Sequence, residues 1–386
     1  MSKKKSNNKV ESSFIKVKKT DAQYIIQLLK KYFKNDSVIN HKYKISYDDK
    51  YILFPLVENK DIIDKLKKTL DNTVSYEIFS REAFSRLNYK YKSLQEALSG
   101  RIPFKYSNLI PKSYDIIGNI AILEFGKHSR IEDNDFCEYR NLIAKAVIKV
   151  NKNVQSVFEK LSEIKGDYRL REFAYLSGEN KSETTHRENN CTFKLDIKTT
   201  YFSPRLVYER RRISNTNIQD NEVIVDMFAG VGPFSIQIAK LNLVKIHAFD
   251  INPHAYKYFS SNIKLNKLKG KITPYNRNVK ALLNPTNQIG KRLFGKVNRI
   301  IMNLPEHSID FIDVACFLMK KSGSFLHFYQ ISEKPNPIEK SIEDLKKKLN
   351  NFNWVIVEIG LSKIVKSYSP KAELIVIDLS VKHIES

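Results

Sequence analysis

The residues with the clearest chemical signature lie in the run VDMFAGVGPFS, at positions 225–235. The run follows an apolar stretch typical of a buried strand, and its last residues begin FSIQIAKL, which has helical periodicity. Gly230 and Gly232 permit a tight turn that lets a ligand approach the backbone, and Pro233 suits the first turn of a helix. Asp250 follows Gly230 by twenty residues and ends a second apolar stretch. A carboxylate at that point can accept hydrogen bonds from both ribose hydroxyls of an adenosine cofactor.

This pattern also discriminates between cofactors. A dinucleotide fingerprint, G-x-G-x-x-G, needs a third glycine where this chain has Ser235. The D-x-F-x-G-x-G form instead resembles S-adenosylmethionine (SAM) methyltransferases, so we predict a SAM pocket rather than a nicotinamide site or a purely structural turn. A third strand ends near Asn278, which we expect to hold the adenine edge together with the backbone N–H of Val279. Two further residues are expected to line the pocket: Phe228 and Ile251.

A second motif, Asn303-Leu304-Pro305, follows the fourth apolar stretch. In a doubly wound sheet, chemistry takes place beyond the carboxyl ends of the strands. Enzymes that methylate exocyclic amines carry an aromatic residue directly after such a motif, whereas this chain has Glu306. Carbon-5 methylation of pyrimidines requires a nearby cysteine nucleophile, and Cys316 lies eleven residues further on in a helical pattern. The sequence therefore favours a ring nitrogen as the methyl acceptor.

Nitrogen 1 of guanine carries a proton in a lactam and is a poor nucleophile until that proton leaves. Its methylation requires a general base and a cation that stabilises the charge developing on oxygen 6. Two upstream runs offer both kinds of group: YFSPRLVYER at 201–210 and GDYRLREF at 166–173. Either run can equally form surface ion pairs in a basic protein, and spacing alone does not select Glu209 over Glu172 or Glu306 as the base.

The composition limits the possible partners of this 386-residue chain. Lys and Arg number 66 against 42 Asp and Glu, and the net charge of +24 favours a polyanion, with nucleic acid first. A lysine-rich, isoleucine-rich genome would also produce such a surface. The three cysteines are far apart, which argues against a disulfide framework or a zinc ribbon, and no metal is expected. The absence of a long apolar run or a secretory signal predicts a cytoplasmic protein with no membrane association.

The chain is predicted to consist of a basic arm and three domains. Residues 1–13 are expected to be disordered, and residues 14–90 to form a small α/β domain with a capping box between Thr20 and Gln23. Residues 91–197 are predicted to be an α+β domain, with strands from Gly166 to Asn180 among others. Residues 198–386 hold seven strand candidates, the first five largely separated by helices and the last two forming an antiparallel hairpin.

The predicted fold class is therefore α/β. A Rossmann-like, doubly wound sheet of the class I SAM-methyltransferase type is expected at the C-terminus, preceded by two smaller α+β domains.

Six runs taken together carry a family resemblance: YFSPRLVYER, VDMFAGVGPFS, FDINPHA, SNIKLNKL, IIMNLP and IVKSYSP. From about residue 90 to the end, the chain resembles the archaeal–eukaryal type of tRNA (guanine(37)-N(1))-methyltransferase. The resemblance implies transfer of a methyl group from SAM to nitrogen 1 of the guanosine 3′ of the anticodon, with tRNA as partner and a monomeric enzyme. It implies Glu209 as general base and Arg169 as the charge-stabilising arginine. The other implied site residues are Arg210, Asp250, Asn278 and Asn303 at the cofactor, and Asn303, Pro305 and Tyr201 around the base.

Two alternatives to this function stay open. An enzyme of the same family could also, or instead, methylate a tricyclic wyosine precursor at the same tRNA position. A non-catalytic RNA-binding protein could retain the SAM-binding fold, although its retention of Gly230, Gly232, Asp250, Asn303 and Glu209 argues against this. In either case the Lys-rich domain at 14–90 is expected to grip tRNA away from the anticodon.

Overall fold

The structure is a computed structural model that describes residues 10–33, 38–70, 73–86, 89–98, 101–103, 106, 109–126 and 134–384. Contacts within these residues group the chain into two compact units. The N-terminal unit takes its residues from 1–110 and 131–152, and the C-terminal unit from 111–130 and 153–386. This grouping differs from the predicted boundaries at residues 90 and 197, because the predicted middle domain contributes to both units.

The N-terminal unit is built around one antiparallel sheet with the strand order β2-β3-β1-β4. The core beneath the sheet is formed by apolar side chains of the strands and of two helices, including Ile15, Ile25, Phe54 and Leu66. The elements of this unit are β1 (Val10–Lys18), α1 (Ala22–Tyr32), β2 (Ser46–Tyr47), β3 (Tyr51–Pro55), α2 (Lys60–Leu70), β4 (Tyr76–Ala83), α3 (Leu94–Leu98) and α4 (Asn134–Val150).

Two predictions about the start of the chain differ from the structure. The first strand begins at Val10, so residues 10–13 of the predicted arm pair with β4, while residues 1–9 lie outside the described residues. The capping box also does not form, because a 3₁₀ turn at Lys19–Asp21 precedes α1 and the hydroxyl of Thr20 donates to Asp21 instead. A side-chain bond to the neighbouring residue thus competes with the cap.

The first part of the C-terminal unit contains a small mixed sheet and a hairpin. The sheet has the order β5-β6-β7-β8 and the hairpin pairs β9 with β10. Their bounds are β5 (Asp115–Ile117), β6 (Ile120–Leu123), β7 (Ser156–Lys160), β8 (Phe173–Gly178), β9 (Glu183–Glu188) and β10 (Cys191–Asp196). The hairpin predicted at Gly118-Asn119 and the turn at Asn189-Asn190 are both present.

The rest of the C-terminal unit is a seven-stranded sheet with the order β13-β12-β11-β14-β15-β17-β16. Strands β11 to β15 are parallel neighbours, whereas β17 is antiparallel to both β15 and β16. The elements are α5 (Val207–Ser214), β11 (Val223–Asp226), α6 (Pro233–Leu241), β12 (Lys245–Asp250), α7 (Pro253–Leu265), β13 (Lys271–Asn276), α8 (Gln288–Leu293), β14 (Arg299–Met302), α9 (Ile312–Leu318), β15 (Ser324–Glu333), α10 (Pro337–Asn350), β16 (Trp354–Ser369) and β17 (Ala372–His383).

This topology confirms the predicted methyltransferase variant of the doubly wound sheet. Strand order reverses between β11 and β14, and that switch point is where open α/β sheets bind ligands. Side chains of β11 and β14 are buried on both faces of the sheet. In β11, Val225 belongs to one hydrophobic cluster and its neighbour Ile224 to another. Among the described helices, none is long and apolar enough to cross a membrane.

Candidate active site

A cleft, here called the cofactor cleft, opens at the carboxyl ends of β11, β12 and β14. Nine residues predicted from the sequence line it: Arg169, Tyr201, Phe228, Gly230, Asp250, Ile251, Asn278, Val279 and Asn303. Eight further residues complete the lining: Asp167, Tyr168, Met227, Asn252, Ala255, Arg277, Leu304 and Phe311. The predicted residues come from distant parts of the chain. The sheet topology brings those from Phe228 onward to one edge, where Arg169 and Tyr201 of preceding segments meet them.

The two glycines of the turn after β11 have different roles. Both adopt the left-handed conformation, with φ of 56° at Gly230 and 88° at Gly232. A Cβ atom at Gly232 would overlap the ring of Phe259, so this glycine is required for packing. A Cβ atom at Gly230 would have only the carbonyl oxygen of Tyr201 nearby, at 3.7 Å. Gly230 therefore leaves space for a ligand at the cleft, whereas Gly232 lies outside its lining.

The carboxylate of Asp250 is held rigidly at the end of β12. Its Oδ2 accepts a hydrogen bond from the N–H of Gly230 at 2.7 Å, and its Oδ1 accepts one from the N–H of Asn252 at 2.8 Å. Burial raises the pKa of Asp250, and these two backbone hydrogen bonds oppose the rise. Each carboxylate oxygen can accept a second hydrogen bond, so a diol such as a ribose fits this group.

Asp226 lies beneath the cleft, at the end of β11, and is fully buried. Burial raises its pKa to about 6, although the hydroxyl of Ser235 donates to its Oδ2 at 2.7 Å. Ser235 occupies the position where a dinucleotide fingerprint would have its third glycine. A glycine at this position could not donate the hydrogen bond that the Ser235 hydroxyl gives to Asp226.

The other end of the cleft is apolar and suited to a flat ring. The rings of Phe228 and Phe311 meet edge to face with centroids 4.9 Å apart. The side chain of Asn278 caps the 3₁₀ helix Val279–Leu283 by accepting from the N–H of Lys280 at 2.9 Å. This bond leaves the Asn278 amide group and a second lone pair of its oxygen for a ligand. The first N–H groups of a helix have no partner within it, so that of Val279 is available as a donor.

The Asn303-Leu304-Pro305 turn is anchored from below. The hydroxyl of Ser308 accepts from the N–H of Leu304 at 3.1 Å, and the carbonyl of Pro305 accepts from the N–H of Ile331 at 2.8 Å. Asn303 is half-buried and lines the cofactor cleft. Pro305, predicted to surround the substrate base, lies outside that lining. Its place beside the substrate base stays a prediction.

Arg169 lies in a tight turn rather than in the strand predicted for this run. Lys165 and Leu170 form an isolated bridge, and the N–H of Arg169 donates to the carbonyl of Gly166 at 3.0 Å. Arg169 has a φ of 56°, a left-handed conformation that is unfavourable for a residue with a Cβ atom. Its guanidinium lies 5.1 Å from the ring centroid of Tyr201. The turn thus holds a cation and an aromatic ring together at the cleft.

A larger cavity, here called the basic cavity, adjoins the cofactor cleft. It has a volume of about 650 Å³ and shares Arg169 and Tyr201 with the cleft. Residues of both small sheets and of the end of β16 line it, and Arg171, Arg205 and Lys366 are among them. A molecule that fills both spaces would lie alongside Arg169 and Tyr201, whose side chains are in contact with each other.

Glu209 lies outside the lining of both spaces. It is buried on α5, where Oε2 accepts from Arg212 at 2.8 Å and from the hydroxyl of Tyr329 at 3.1 Å, and Oε1 pairs with Lys363 at 2.6 Å. Burial alone would raise its pKa, but the hydrogen bonds from Arg212 and Lys363 outweigh burial and hold the pKa below its ordinary value. The structure therefore does not bring the predicted base into the cleft.

Arg210, the next residue, also has a different environment from the one predicted. Its guanidinium forms a two-pronged ion pair with Glu188, donates to the carbonyl of Ser203 at 3.1 Å and lies over the ring of Phe202. Only 1% of Arg210 is exposed, and it is absent from the lining of the cofactor cleft. Arg210 thus links α5 to β9 through its ion pair with Glu188.

The sequence reasoning missed several lining residues. Asp167 and Tyr168 directly precede Arg169. Had the sequence been interpreted as a tight turn at Gly166, these two residues would have been expected to lie at the cleft with Arg169. Phe311 belongs to a 3₁₀ helix (Ser308–Phe311) after the Asn303 turn, and no local pattern identifies it. Across the described part of the chain, no group of three or more His, Cys, Asp or Glu side chains is arranged to hold a metal ion.

Comparison with known proteins gives a consistent result. Residues 184–357 match the model of the TRM5/TYW2 methyltransferase domain, and residues 94–181 match that of the TYW2 N-terminal domain. The tRNA (guanine(37)-N(1))-methyltransferase Trm5b of Pyrococcus abyssi is 35% identical over 346 residues, which cover 89% of this chain and 92% of the relative.

Two solved structures extend the comparison. The complex of aTrm5 with tRNALeu has a TM-score of 0.67 and 33% identity, covering 95% of this chain and 99% of that chain. The structure of Methanocaldococcus jannaschii Trm5 in complex with adenosine has a TM-score of 0.58 and 31% identity, covering 97% of this chain and all (100%) of that chain.

Proposed function

This chain belongs to the TRM5/TYW2 methyltransferase family, and we propose that it methylates nitrogen 1 of guanosine 37 in tRNA with SAM as methyl donor. The observation that carries the proposal is the meeting of Arg169, Tyr201 and Asn303 at the cofactor cleft, beside a cavity lined with cations. The named activity of the 35% identical relative, which the chain matches over most of its length, supports the same reaction.

The lining of the cofactor cleft fits SAM. Asp250 offers a carboxylate for the ribose hydroxyls, and Gly230 leaves room for the cofactor where any side chain would intrude. Asn278 and the N–H of Val279 suit the polar edge of adenine, between the rings and apolar side chains of the cleft. When bound, SAM supplies a methyl group on a positively charged sulfur, ready for attack by a nucleophile.

The substrate base is proposed to enter at Arg169 and Tyr201. Loss of the proton from nitrogen 1 places negative charge on oxygen 6 of guanine, and a guanidinium fixed beside it stabilises that charge. Arg169 is largely buried, with 13% of its side chain exposed, so water screens its charge only weakly. The guanine must first leave the stack of the anticodon loop, since its nitrogen is unreachable within it.

Two carboxylates are proposed as acceptors of the proton. Glu209 is the one implied by the family resemblance, and it can act only if Lys363 or Arg212 releases one of its oxygens. Asp167 lines the cofactor cleft within two residues of Arg169 and needs no such release. We retain Glu209 as the first candidate, because the family resemblance implies it, and Asp167 as the second. Substitution of Lys363 should shift the pH–rate profile only if Glu209 is the base.

The N-terminal unit is proposed to bind tRNA away from the anticodon. Among its described residues, one hydrophobic cluster runs from Ile15 to Ile78 and another from Phe14 to Ala83, so this part of the chain has its own core. Lysine side chains lie over aromatic rings on its surface, Lys19 over Tyr47, of which 74% is exposed, and Lys31 over Tyr32, of which 49% is exposed. Cations next to exposed rings suit a phosphate backbone.

A second substrate is tested by the same assay. The model that matches residues 94–181 is that of the TYW2 N-terminal domain, and this match favours testing the second substrate considered from the sequence. Incubation with labelled SAM and tRNA transcripts carrying guanosine or adenosine at position 37 tests the proposal, and tRNA bearing a tricyclic wyosine precursor tests the alternative. Label in the guanosine transcript alone is the expected result, and label in none would leave a non-catalytic RNA-binding protein.

A further inference from the structure

The basic cavity contains more positive charge than its own acids balance. Six cationic and three acidic side chains line it. Each acid has a cationic partner, since Asp115 pairs with Arg205 at 2.8 Å, and Glu124 and Glu163 both pair with Lys160, at 2.9 Å and 3.3 Å. The positive charge that these three acids leave unbalanced therefore lies on lining residues other than Arg205 and Lys160.

Arg171 and Lys366 carry much of this unbalanced charge. Neither residue has a salt bridge to any described residue, and the Nε atom of Arg171 is buried with no hydrogen-bond partner in that part of the chain. Because Nε is shielded from solvent, a ligand in the cavity can reach Arg171 only through other atoms of this residue, which lines the wall.

The end of β16 is distorted in a way that directs Lys366 into the cavity. Four consecutive residues, 366–369, line the cavity, although side chains of a regular strand point to alternate faces. Register shifts between Ile364 and Lys366 and between Ser367 and Ser369 break this alternation. Bulges of this kind re-aim side chains next to functional sites.

The surroundings of Lys366 favour an anion. Burial lowers the pKa of Lys366 and the nearby charge of Arg205 lowers it further. Asp115 opposes this, and Arg171 and Arg169 add smaller lowering effects. A cation in such a position gains from a negatively charged ligand. Tyr114, Phe173 and Phe202 also line the cavity, and aromatic rings accept stacked bases.

We propose that Arg171 and Lys366 bind a backbone phosphodiester of the RNA strand next to the nucleotide that enters the cofactor cleft. The inference rests on the proposed function, because the two spaces adjoin at Arg169 and Tyr201, and an RNA strand whose target nucleotide enters the cleft would continue along the cavity. A phosphodiester fits better than a small free anion, since the cavity of about 650 Å³ has room for nucleotide units and carries aromatic walls.

The first test measures RNA binding by the full-length protein as a function of salt concentration. The probe is an RNA hairpin with the sequence of an anticodon arm that includes guanosine 37. Lys366→Met and Arg171→Met are each expected to weaken binding and to reduce the log–log salt slope by about 0.7, the contribution of one single-strand phosphate contact. Lys347→Met, at an exposed lysine of α10, removes the same charge outside the cavity and serves as the matched control.

The second test locates the phosphate. Hairpins with one neutral methylphosphonate linkage, placed on either side of the guanosine in turn, are compared on the parent and on Lys366→Met. At one linkage the parent is expected to lose about tenfold in affinity, as for a charged hydrogen bond. The affinity of Lys366→Met should hardly change at that linkage, because the variant already lacks the contact. Parent affinity that is indifferent to every neutral linkage, or variants with the parent salt slope, would overturn the proposal.

Calorimetric measurement of SAM binding distinguishes failure of the phosphate site from failure of the proposed methyl-transfer function. The Arg171 and Lys366 variants should bind SAM like the parent, because neither residue lines the cofactor cleft. The proposed function fails if the parent transfers no methyl group to tRNA. The phosphate site fails if the parent is active and both variants bind RNA as the parent does.

Discussion

Arg169 donates a hydrogen bond to the carboxylate of Glu306 at 3.0 Å, joining the turn before β8 to the turn after β14. The second oxygen of Glu306 accepts from the hydroxyl of Tyr368 at 3.0 Å, which adds the end of β16 to the same contact. Three segments from distant parts of the chain thus fix the guanidinium beside Tyr201. Glu306 lines neither the cofactor cleft nor the basic cavity, so its effect on the site is to position Arg169.

Removal of Glu306 should therefore lower the rate of methyl transfer. Glu306→Ala frees Arg169, and a misplaced catalytic group can reduce the rate by up to about 10²-fold. Because only 13% of the Arg169 side chain is exposed, loss of its carboxylate partner should also cost stability, on the order of 1–3 kcal/mol, and thermal unfolding measures that cost.

Single-turnover rates and calorimetric SAM affinity separate these effects. Glu306→Gln, which keeps the shape and one acceptor oxygen, should retain more activity than Glu306→Ala, and SAM affinity should stay at the parent value in both. Equal rates for the parent and Glu306→Ala would show that Arg169 needs no such anchor.

Substitution of Asp250 should weaken SAM binding. Asp250→Ala removes the acceptor proposed for the ribose hydroxyls, and loss of a hydrogen bond to a charged group costs about 1.5–3 kcal/mol. Titration calorimetry with SAM measures the change. Because the substitution also leaves the N–H groups of Gly230 and Asn252 without their acceptor, thermal unfolding serves as the control. A folded variant with parent SAM affinity would remove Asp250 from the cofactor site.

The pH dependence of the chemical step identifies the base. If Glu209 accepts the proton, the single-turnover rate rises with pH until Glu209 is ionised, and Glu209→Gln lowers that rate by about 10²–10⁴-fold with little change in substrate affinity. Lys363 contributes to holding the pKa of Glu209 down. Lys363→Met should then raise that pKa and move the acidic limb of the pH–rate profile to higher pH.

The same profile for Asp167→Asn is the comparison. A limb that stays in place in Lys363→Met, together with a large loss of rate in Asp167→Asn, would assign the proton to Asp167. The Glu209 carboxylate would then be an ion-pair centre that holds Arg212, Lys363 and Tyr329 together.

The first 90 residues should contribute to RNA binding and not to SAM binding. Deletion of residues 1–90 removes a part of the chain with its own hydrophobic clusters, and with it many of the lysines. Binding of full-length tRNA should weaken and depend less steeply on salt, whereas calorimetry with SAM should give the parent affinity. Undiminished tRNA affinity in a folded deletion variant would make this region a packing module.

The sequence predicted the large sheet because its signal is local and repeated. Each parallel strand is a short apolar run followed by a helical pattern, and the turn after β11 needs Gly230 and Gly232 in conformations that other residues avoid. Chain order then places the ends of β11, β12 and β14 at one edge, which explains why Asp250 and Asn303 were found from their positions alone.

The ion-pair partners of the site residues and the shape of the basic cavity depend on contacts between distant residues, which the sequence does not reveal. The acidic partner of Arg210 is Glu188, 22 residues earlier, and that of Arg169 is Glu306, 137 residues later, and neither pair leaves a pattern in the sequence. Glu209 was placed at the site by family resemblance, while its ionic partners lie on α5 and β16. The same holds for β16, where register shifts direct Lys366 and its neighbours into a cavity that an alternating pattern would not predict.

The most direct test of the account is the identity of the methylated nucleoside. Purified protein, SAM with a labelled methyl group and a tRNA transcript with guanosine at position 37 are combined, and the digested product is analysed by mass spectrometry. The account predicts 1-methylguanosine at position 37, no product when adenosine replaces that guanosine, and a greatly reduced rate for Arg169→Ala. A methyl group on another atom or another nucleotide, or an unchanged rate for Arg169→Ala, would contradict it.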